Sequence, residues 1–485
     1  MSRLSQIISA LIALWLIACL WQLWTYAPAT DAWGSRYVLR SLVFSFRQAS
    51  YSTLLSLALA APLLWGAWAG RFQLLRHLLP ITTILPTLIM LLIALDLSRW
   101  LNVPLRGMGG IVTLHAWLNA PLLTLLLLPS LERIPHHYHQ QRQLLRLSAL
   151  SYTWHVVLTW LRPALAHATS LVFLLCFTSF TIPLIIGGDP RHATLEVAIY
   201  QAVKYEFNLS LAAQLALLQM IVLLPIFALM PQKPTPPAHS ITTKRFYYPS
   251  ATMCECFGIV LLLMPVIIML YYSSQQFYTE LNPSLLSAIS DSVQLAIITM
   301  PCALALHIVL LYKPQLMQKR LMEALYLMPT LILCLGTYLL AKPYVSLFSY
   351  PQLANVTLLS VTVQPYLYQL ALPTWQQHHE RTERLSQQLN LNAWDKWFQV
   401  DLPLLAPLLA KVAGLVAIIC VGDVAISRFY TNTQFQTLAA YLSEELGHYR
   451  QQRAWQTSLY LLLLSLSLYA FPQIIAKLYQ TLRKP

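Results

Sequence analysis

The sequence predicts an all-α integral membrane protein of about twelve transmembrane helices, arranged as two parallel six-helix repeats. Two observations carry this. Hydrophobic residues make up 57% of the 485 positions and charged residues only 10%, against about 25% charged in an ordinary soluble domain. The chain also repeats itself at a constant offset: Leu85-Pro86-Thr87-Leu88-Ile89 returns as Met328-Pro329-Thr330-Leu331-Ile332, and Ala193-Thr194-Leu195 as Gln436-Thr437-Leu438, both 243 positions later.

The spans follow from apolar runs about as long as the ~20 residues that cross a bilayer. In the first half they lie near 6–25, 42–69, 75–96, 110–130, 162–187 and 207–230, and in the second near 253–273, 286–312, 321–341, 354–373, 403–427 and 455–477. The runs are continuous in Leu, Ala, Ile and Val rather than alternating, which makes them helices and not strands of a barrel. The first run follows Arg3 without a small-residue cleavage site after Trp24, so it reads as a retained helix. Proline-rich 231–249 is an extended linker, dividing the chain into a first unit, 1–235, and a second, 236–485. Even numbers of spans in each give the halves one orientation and a pseudo-twofold axis along the membrane normal.

Most Lys and Arg fall in the even-numbered connections and the two tails, placing both termini in the cytoplasm, although Arg36, Arg40, Arg99 and Arg106 then lie outside and Arg47 and Lys411 fall within spans. The net charge of +14 thereby reflects topology and calls for no nucleic-acid partner. The seven Cys sit in or beside apolar runs and outline no disulfide framework. Cys254 and Cys256 read as packed small residues rather than metal ligands.

Two long polar segments, about 131–160 and 375–402, occupy the same place in each half, between the fourth and fifth spans. Each reads as two short amphipathic helices joined by a turn and lying at the inner membrane surface. In the first, Leu144, Leu145 and Leu147 precede a turn, then Trp154 and Trp160; in the second, Leu385 and Leu389 precede Asn390-Leu391-Asn392, then Trp394, Trp397 and Phe398. A lone copy could be a lipid anchor. Two copies at matched positions make a pair of docking surfaces for a two-lobed cytoplasmic partner.

These residues resemble the permease subunits of type I ABC importers, whose cytoplasmic loop reads roughly E-A-A, three residues, Gly, nine residues, a hydrophobic residue, one residue, Leu-Pro. Asn390 takes the Gly position, Val400 follows at the expected distance and Leu402-Pro403 matches Leu-Pro, while Arg384 stands where Glu is expected. The first loop is more degenerate: Trp154 aligns with Trp397, but Thr159 or Trp160 stands where Pro belongs. Fused two-unit chains of this kind are typical of iron(III) and thiamine systems. Phe173–Phe180, Gly187-Gly188-Asp189-Pro190 and Ala193–Ala202 resemble the thiamine (thiamine pyrophosphate) permease family, as do Gly422-Asp423, Phe435–Leu438 and Gly447–Arg450 in the second half. The resemblance implies a permease working with two copies of a cytoplasmic ABC ATPase, which would hold the ATP and Mg, and with a periplasmic binding protein, in the bacterial inner membrane. Iron(III) is the alternative cargo, and a proton-coupled carrier of six plus six helices the alternative class.

No catalytic constellation and no Gly-Lys-Ser or Gly-Lys-Thr phosphate loop appears, so energy must come from another chain. No cofactor is expected in this chain. His136-His137-Tyr138-His139 and His378-His379 read as solvated loop residues, without the clustered acids or thiols of a metal site. Ionisable groups within spans are better clues to a pathway. Asp423, beside Gly422 in the eleventh span, is the first candidate for pore lining; the alternatives are a structural partner of Lys411 or Arg428, or a helix-end cap. Asp291 and Asp96 lie near span ends, where water-facing interfacial positions compete with a pathway role. Pro86 and Pro329 each remove a backbone hydrogen bond in the third span of their half and predict a kink there, either beside the path or as a packing bend.

Overall fold

The computed structural model describes residues 2–27, 34–82, 86–135, 137–138, 141, 144–146, 148–187, 190–228, 249–276, 282–311, 316–388, 392, 395–448 and 450–482. Every regular element among them is helical. In chain order these are α1 (Ser2–Tyr26), α2 (Arg36–Ala69), α3 (Leu74–Thr82), α4 (Thr87–Trp100), α5 (Gly107–Glu132), α6 (Leu158–Phe177), α7 (Thr181–Ile186), α8 (Leu195–Lys204), α9 (Leu209–Ala228), α10 (Pro249–Gln276), α11 (Pro283–Leu311), α12 (Leu316–Leu327), α13 (Thr330–Ala341), α14 (Pro351–Thr362), α15 (Gln364–Gln388), α16 (Leu402–Gly422), α17 (Ala425–Tyr430), α18 (Leu438–Gly447) and α19 (Gln451–Leu482).

Nine helices among the described residues are long and apolar enough to cross a membrane singly. The other three predicted spans are each two helices, and proline stands at every junction. Pro86 and Pro329 were expected to kink a continuous helix; instead they are the residues from which α4 and α13 start, both extended, at φ −57° with ψ 134° and 138°. Proline offers no N–H and pushes the residue before it out of the helical region, so the preceding turn ends rather than bends. α12 and α13 meet at 103°. The third junction differs: Val363 between α14 and α15 keeps helical angles, φ −76° and ψ −19°, and Pro365 is the second residue of the helix that follows.

The helices form two compact units, and these do not follow the sequence repeat. One unit contains residues 31–201 and 218–276; the other contains 1–30, 202–217 and 277–485. Thus α10, which begins the second repeat, packs on α2, α3 and α4, and α1, which begins the first, packs on α13, α12 and α11. Glycine makes both contacts close. A Cβ on Gly66 of α2 would lie 2.5 Å from the Glu255 backbone nitrogen of α10, and one on Gly336 of α13 would lie 2.7 Å from Cys19 Cβ of α1.

Lipid tails give helices no hydrophobic reason to associate, so small residues and internally satisfied polar groups hold the bundle. α2 illustrates this. Its buried face includes a polar stripe of Ser41, Ser45, Gln48, Ser52, Thr53 and Ser56 beside Val38, Phe44, Ala49 and Ala60. Ser45, Thr53 and Ser56 donate to the carbonyls of Ser41, Ala49 and Ser52 at 2.8, 2.7 and 2.6 Å, which leaves hydroxyl-lined surface that a neighbouring helix approaches without orphaned donors. Where proline frees a carbonyl, a neighbour can supply the donor. The Leu261 carbonyl, four residues before Pro265 in α10, accepts from Trp117 Nε1 of α5 at 3.4 Å.

Candidate functional site

The two docking segments end in the same irregularity. Thr153–Val157 and Lys396–Asp401 are π-helical turns, widened by one residue per turn, and each runs directly into a span, α6 or α16. Their first residues are 396 − 153 = 243 positions apart, the repeat offset. π-Turns are rare and concentrate at functional positions. They carry three of the seven predicted docking residues: Trp154, 61% exposed, in the first turn, and Trp397 and Val400, both half-buried, in the second. Leu402-Pro403 opens α16 in direct continuation of the π-turn, where the Leu402 N–H donates to the Trp397 carbonyl. Leu147 and Asn390 lie outside the described residues, as do His136 and His139.

The second segment is braced and the first is not braced in the same way. His378 Nε2 of α15 lies 2.7 Å from Asp401 Oδ1 at the end of the π-turn, with both side chains largely buried. The Trp375 and Trp397 rings stand 6.5 Å apart beside them. At the repeat offset the first half has Pro135 and Leu158, which cannot form such a pair. There the ring of Tyr138 approaches Trp160 at 6.3 Å, and Arg76 of α3 pairs with Glu132 at the end of α5.

At the far end of α6 and α16 the halves match again. The Leu195 N–H of α8 donates to Ser45 Oγ of α2 at 2.9 Å, and the Leu438 N–H of α18 donates to Ser292 Oγ of α11 at 2.7 Å. Thr194 and Thr437 cap these helices, accepting from Val197 and Ala440 N–H. Here lie the remaining predicted residues. Asp423 follows the last residue of α16 and its Oδ2 accepts from the N–H groups of Ile426 and Ser427, at 2.9 and 3.2 Å, so it caps α17. Arg428 pairs with Glu444 at 3.1 Å. Asp291 Oδ2 accepts from Gln436 N–H at 3.0 Å, tying α11 to the loop before α18. Gly422 borders open space: a Cβ there would meet nothing within 4 Å.

Several buried polar groups were not singled out in the sequence. His115 of α5 bridges Ser52 of α2, 3.2 Å from Nδ1, and Ser179, 2.9 Å from Nε2. His307 of α11 pairs with Gln364 at 3.1 Å. Glu196 of α8 accepts from Gln219 of α9 at 2.8 Å, Glu445 of α18 from Thr457 at 2.7 Å, and Glu255 of α10 from Phe72 N–H at 2.8 Å. Half-buried Lys204, at the end of α8, donates to the Thr431 carbonyl at 3.2 Å and stands 4.7 Å from the centre of the Phe348 ring. The readable signal was an ionisable residue in or beside an apolar run. Burial pushes the Glu196 carboxyl up to about 8, against the hydrogen bond from Gln219.

The described residues thus form an all-helical chain with nine helices long and apolar enough to cross a membrane and two π-turns that recur at the repeat offset. The chain is similar to thiamine transport system permease proteins named ThiP: 29% identical to that of Escherichia coli K12, with 93% of this chain and 92% of that protein aligned. The Haemophilus influenzae Rd protein is 28% identical over 90% of this chain and 88% of its own length, and the Brucella abortus 2308 protein 26% over 89% and 87%. No family model matches the chain. The resemblance read from the docking segments and the Ala193–Ala202 block therefore extends along almost the whole sequence.

Proposed function

We propose that the chain is the permease subunit of an ATP-driven ABC importer that moves thiamine or its phosphates across the bacterial inner membrane. The observation that carries this reading is the full-length similarity to proteins named as thiamine transport permeases. In this reading the chain does no catalysis of its own. Two copies of a cytoplasmic ATPase dock on the two segments, through Leu147 and Trp154 in one and Asn390, Trp397, Val400, Leu402 and Pro403 in the other. Both termini are cytoplasmic, and a periplasmic binding protein delivers the cargo at the opposite face.

The mechanism follows from how each segment is joined to its span. A π-turn running without a cap into α6 or α16 makes the docking surface and the span one body, so closure of an ATPase dimer would move the spans themselves. The broken helices at Pro86 and Pro329 would supply bending points beside the path, and Gly422, Asp423 and Asp291 would border its far end. Labelled thiamine uptake in cells lacking the chain, with and without its restoration, tests the cargo; co-purification of an ATPase tests the class. Restored uptake with an attached ATPase is expected. An ATPase without thiamine uptake would retain the importer and return iron(III) as cargo, and neither result would favour the proton-coupled carrier.

A further inference from the structure

The first turns of α2 present an arginine face that neither the docking segments nor the candidate path uses. Arg36, Arg40 and Arg47 are all exposed, and at 3.6 residues per turn they fall within about 40° of arc. None has a carboxylate partner among the described residues, and Asp31 and Asp96 are the only acidic residues in the first 96 positions. Large apolar side chains share or flank this face: Leu39, Val43, Phe46 and Leu54 are exposed too. The opposite face is the buried serine stripe.

Length fixes the depth of these arginines. α2 has 34 residues, about 51 Å at 1.5 Å each, against a hydrocarbon core about 30 Å thick. Its C-terminal end carries the adjacent Trp65 and Trp68 rings and is followed by Arg71, the signature of one membrane boundary. Counting back from Ala69, Arg47 lies about 33 Å away, at the level of the opposite headgroups, with Arg40 and Arg36 beyond it. Cations at that depth, interleaved with apolar side chains on one face, match a molecule with a phosphate above and acyl chains below.

The second repeat lacks this feature. Ser45 of α2 and Ser292 of α11 play the same part, each accepting from the first N–H of α8 or α18. At that register Arg40 and Arg47 correspond to Ser287 and Gln294, and Arg36 to Pro283. The face thus belongs to one half alone, and it accounts for Arg36 and Arg40 departing from the charge bias of the other loops.

We infer that the Arg36–Arg40–Arg47 face of α2 binds the phosphate of an anionic phospholipid in the leaflet it enters. The test uses the purified full-length chain in nanodiscs of phosphatidylcholine and phosphatidylglycerol, with retained lipids counted by native mass spectrometry. Replacing Arg36, Arg40 and Arg47 together by Gln is expected to abolish selective phosphatidylglycerol retention, at roughly fivefold weaker binding per arginine removed, while replacement by Lys keeps most of it. Unchanged retention in the Gln variant overturns the inference, as does parallel loss of phosphatidylcholine. Displacement of the lipid from the wild-type chain by millimolar thiamine pyrophosphate or inorganic phosphate would instead make the face a site for soluble phosphates. Should the variant fail to insert, a photoactivatable phosphatidylglycerol on the wild-type chain decides: adducts several-fold richer on 36–51 than on 283–298 are expected, and equal labelling overturns the inference.

Discussion

A Cβ at Gly66 would sit 2.5 Å from the Glu255 nitrogen and 2.8 Å from the Cys254 carbonyl carbon, so two helix backbones rather than a movable side chain oppose it. Gly66→Ala should therefore lower the thermal stability of the purified chain by the ~1–3 kcal/mol typical of overpacking. Gly109→Ala, which faces open space, should leave it unchanged, apart from the small gain expected of alanine in a helix. Equal melting of the two variants would show that α2 and α10 yield without strain. Glu196 supports a second prediction. Its carboxyl is raised by burial from 4.5 to about 8, so the folded chain binds a proton there that the unfolded chain does not. The contribution to stability is full below about pH 4.5, falls across the interval and is lost as pH passes 8. A protonated carboxyl also brings the kind of donor that the buried Gln219 Oε1, which has no partner among the described residues, requires. Melting followed from pH 6 to 9 should show falling stability, and Glu196→Gln should flatten that slope. At this scale the sequence was only partly readable. Asp423 stood out as an intramembrane acid, yet its cap on Ile426 and Ser427 depends on where α16 stops, and Glu196 looked ordinary because the side chain that binds it, Gln219, lies on α9, outside its own helix.

At the scale of elements, apolar length located the spans well and proline located their breaks, since both act through the local backbone. That Pro86 and Pro329 start new helices rather than bend old ones was less accessible, because the neighbouring turns decide whether a helix recovers after the missing bond. The π-turns left no composition signal; they became visible only as backbone geometry recurring at the repeat offset. The brace between α15 and the second turn makes a prediction of its own. Asp401→Ala removes a charge-assisted contact between largely buried groups, on the order of 1.5–3 kcal/mol of local order. If the second segment docks an ATPase as proposed, this variant should insert normally but retain less ATPase on co-purification, with His378→Leu doing the same. Leu158→Ala at the matched position should change retention little, because no such pair exists there. Trp397→Asp should abolish ATPase-coupled uptake while leaving insertion intact, and loss of insertion would make Trp397 a folding residue instead.

For the whole molecule, the duplication was legible and the packing was not. A repeat is read along the chain, whereas a unit is defined by which helices touch, and nothing in α1 or α10 advertises that each packs with helices of the other repeat. The exchange has a consequence for folding. A chain of residues 1–235 contains α2–α5 without α10, so Gly66 loses the helix backbone it packs against and the Phe72 N–H loses its acceptor, the Glu255 carboxylate. A chain of 236–485 likewise lacks α1, leaving Gly336 of α13 without Cys19 and Gln318 without the Ser5 hydroxyl it binds at 2.8 Å. Each half alone therefore exposes to lipid a surface carved for close helix contact and a buried polar group that hydrocarbon cannot satisfy. Cutting the chain in the proline-rich linker removes neither partner if both pieces are present. Co-expressed halves split at 235/236 should therefore accumulate, co-purify through a tag on either one and melt near the intact chain, whereas each expressed singly should be degraded or aggregate. A half that is stable alone would mean that the exchanged helix decorates its unit rather than completes it.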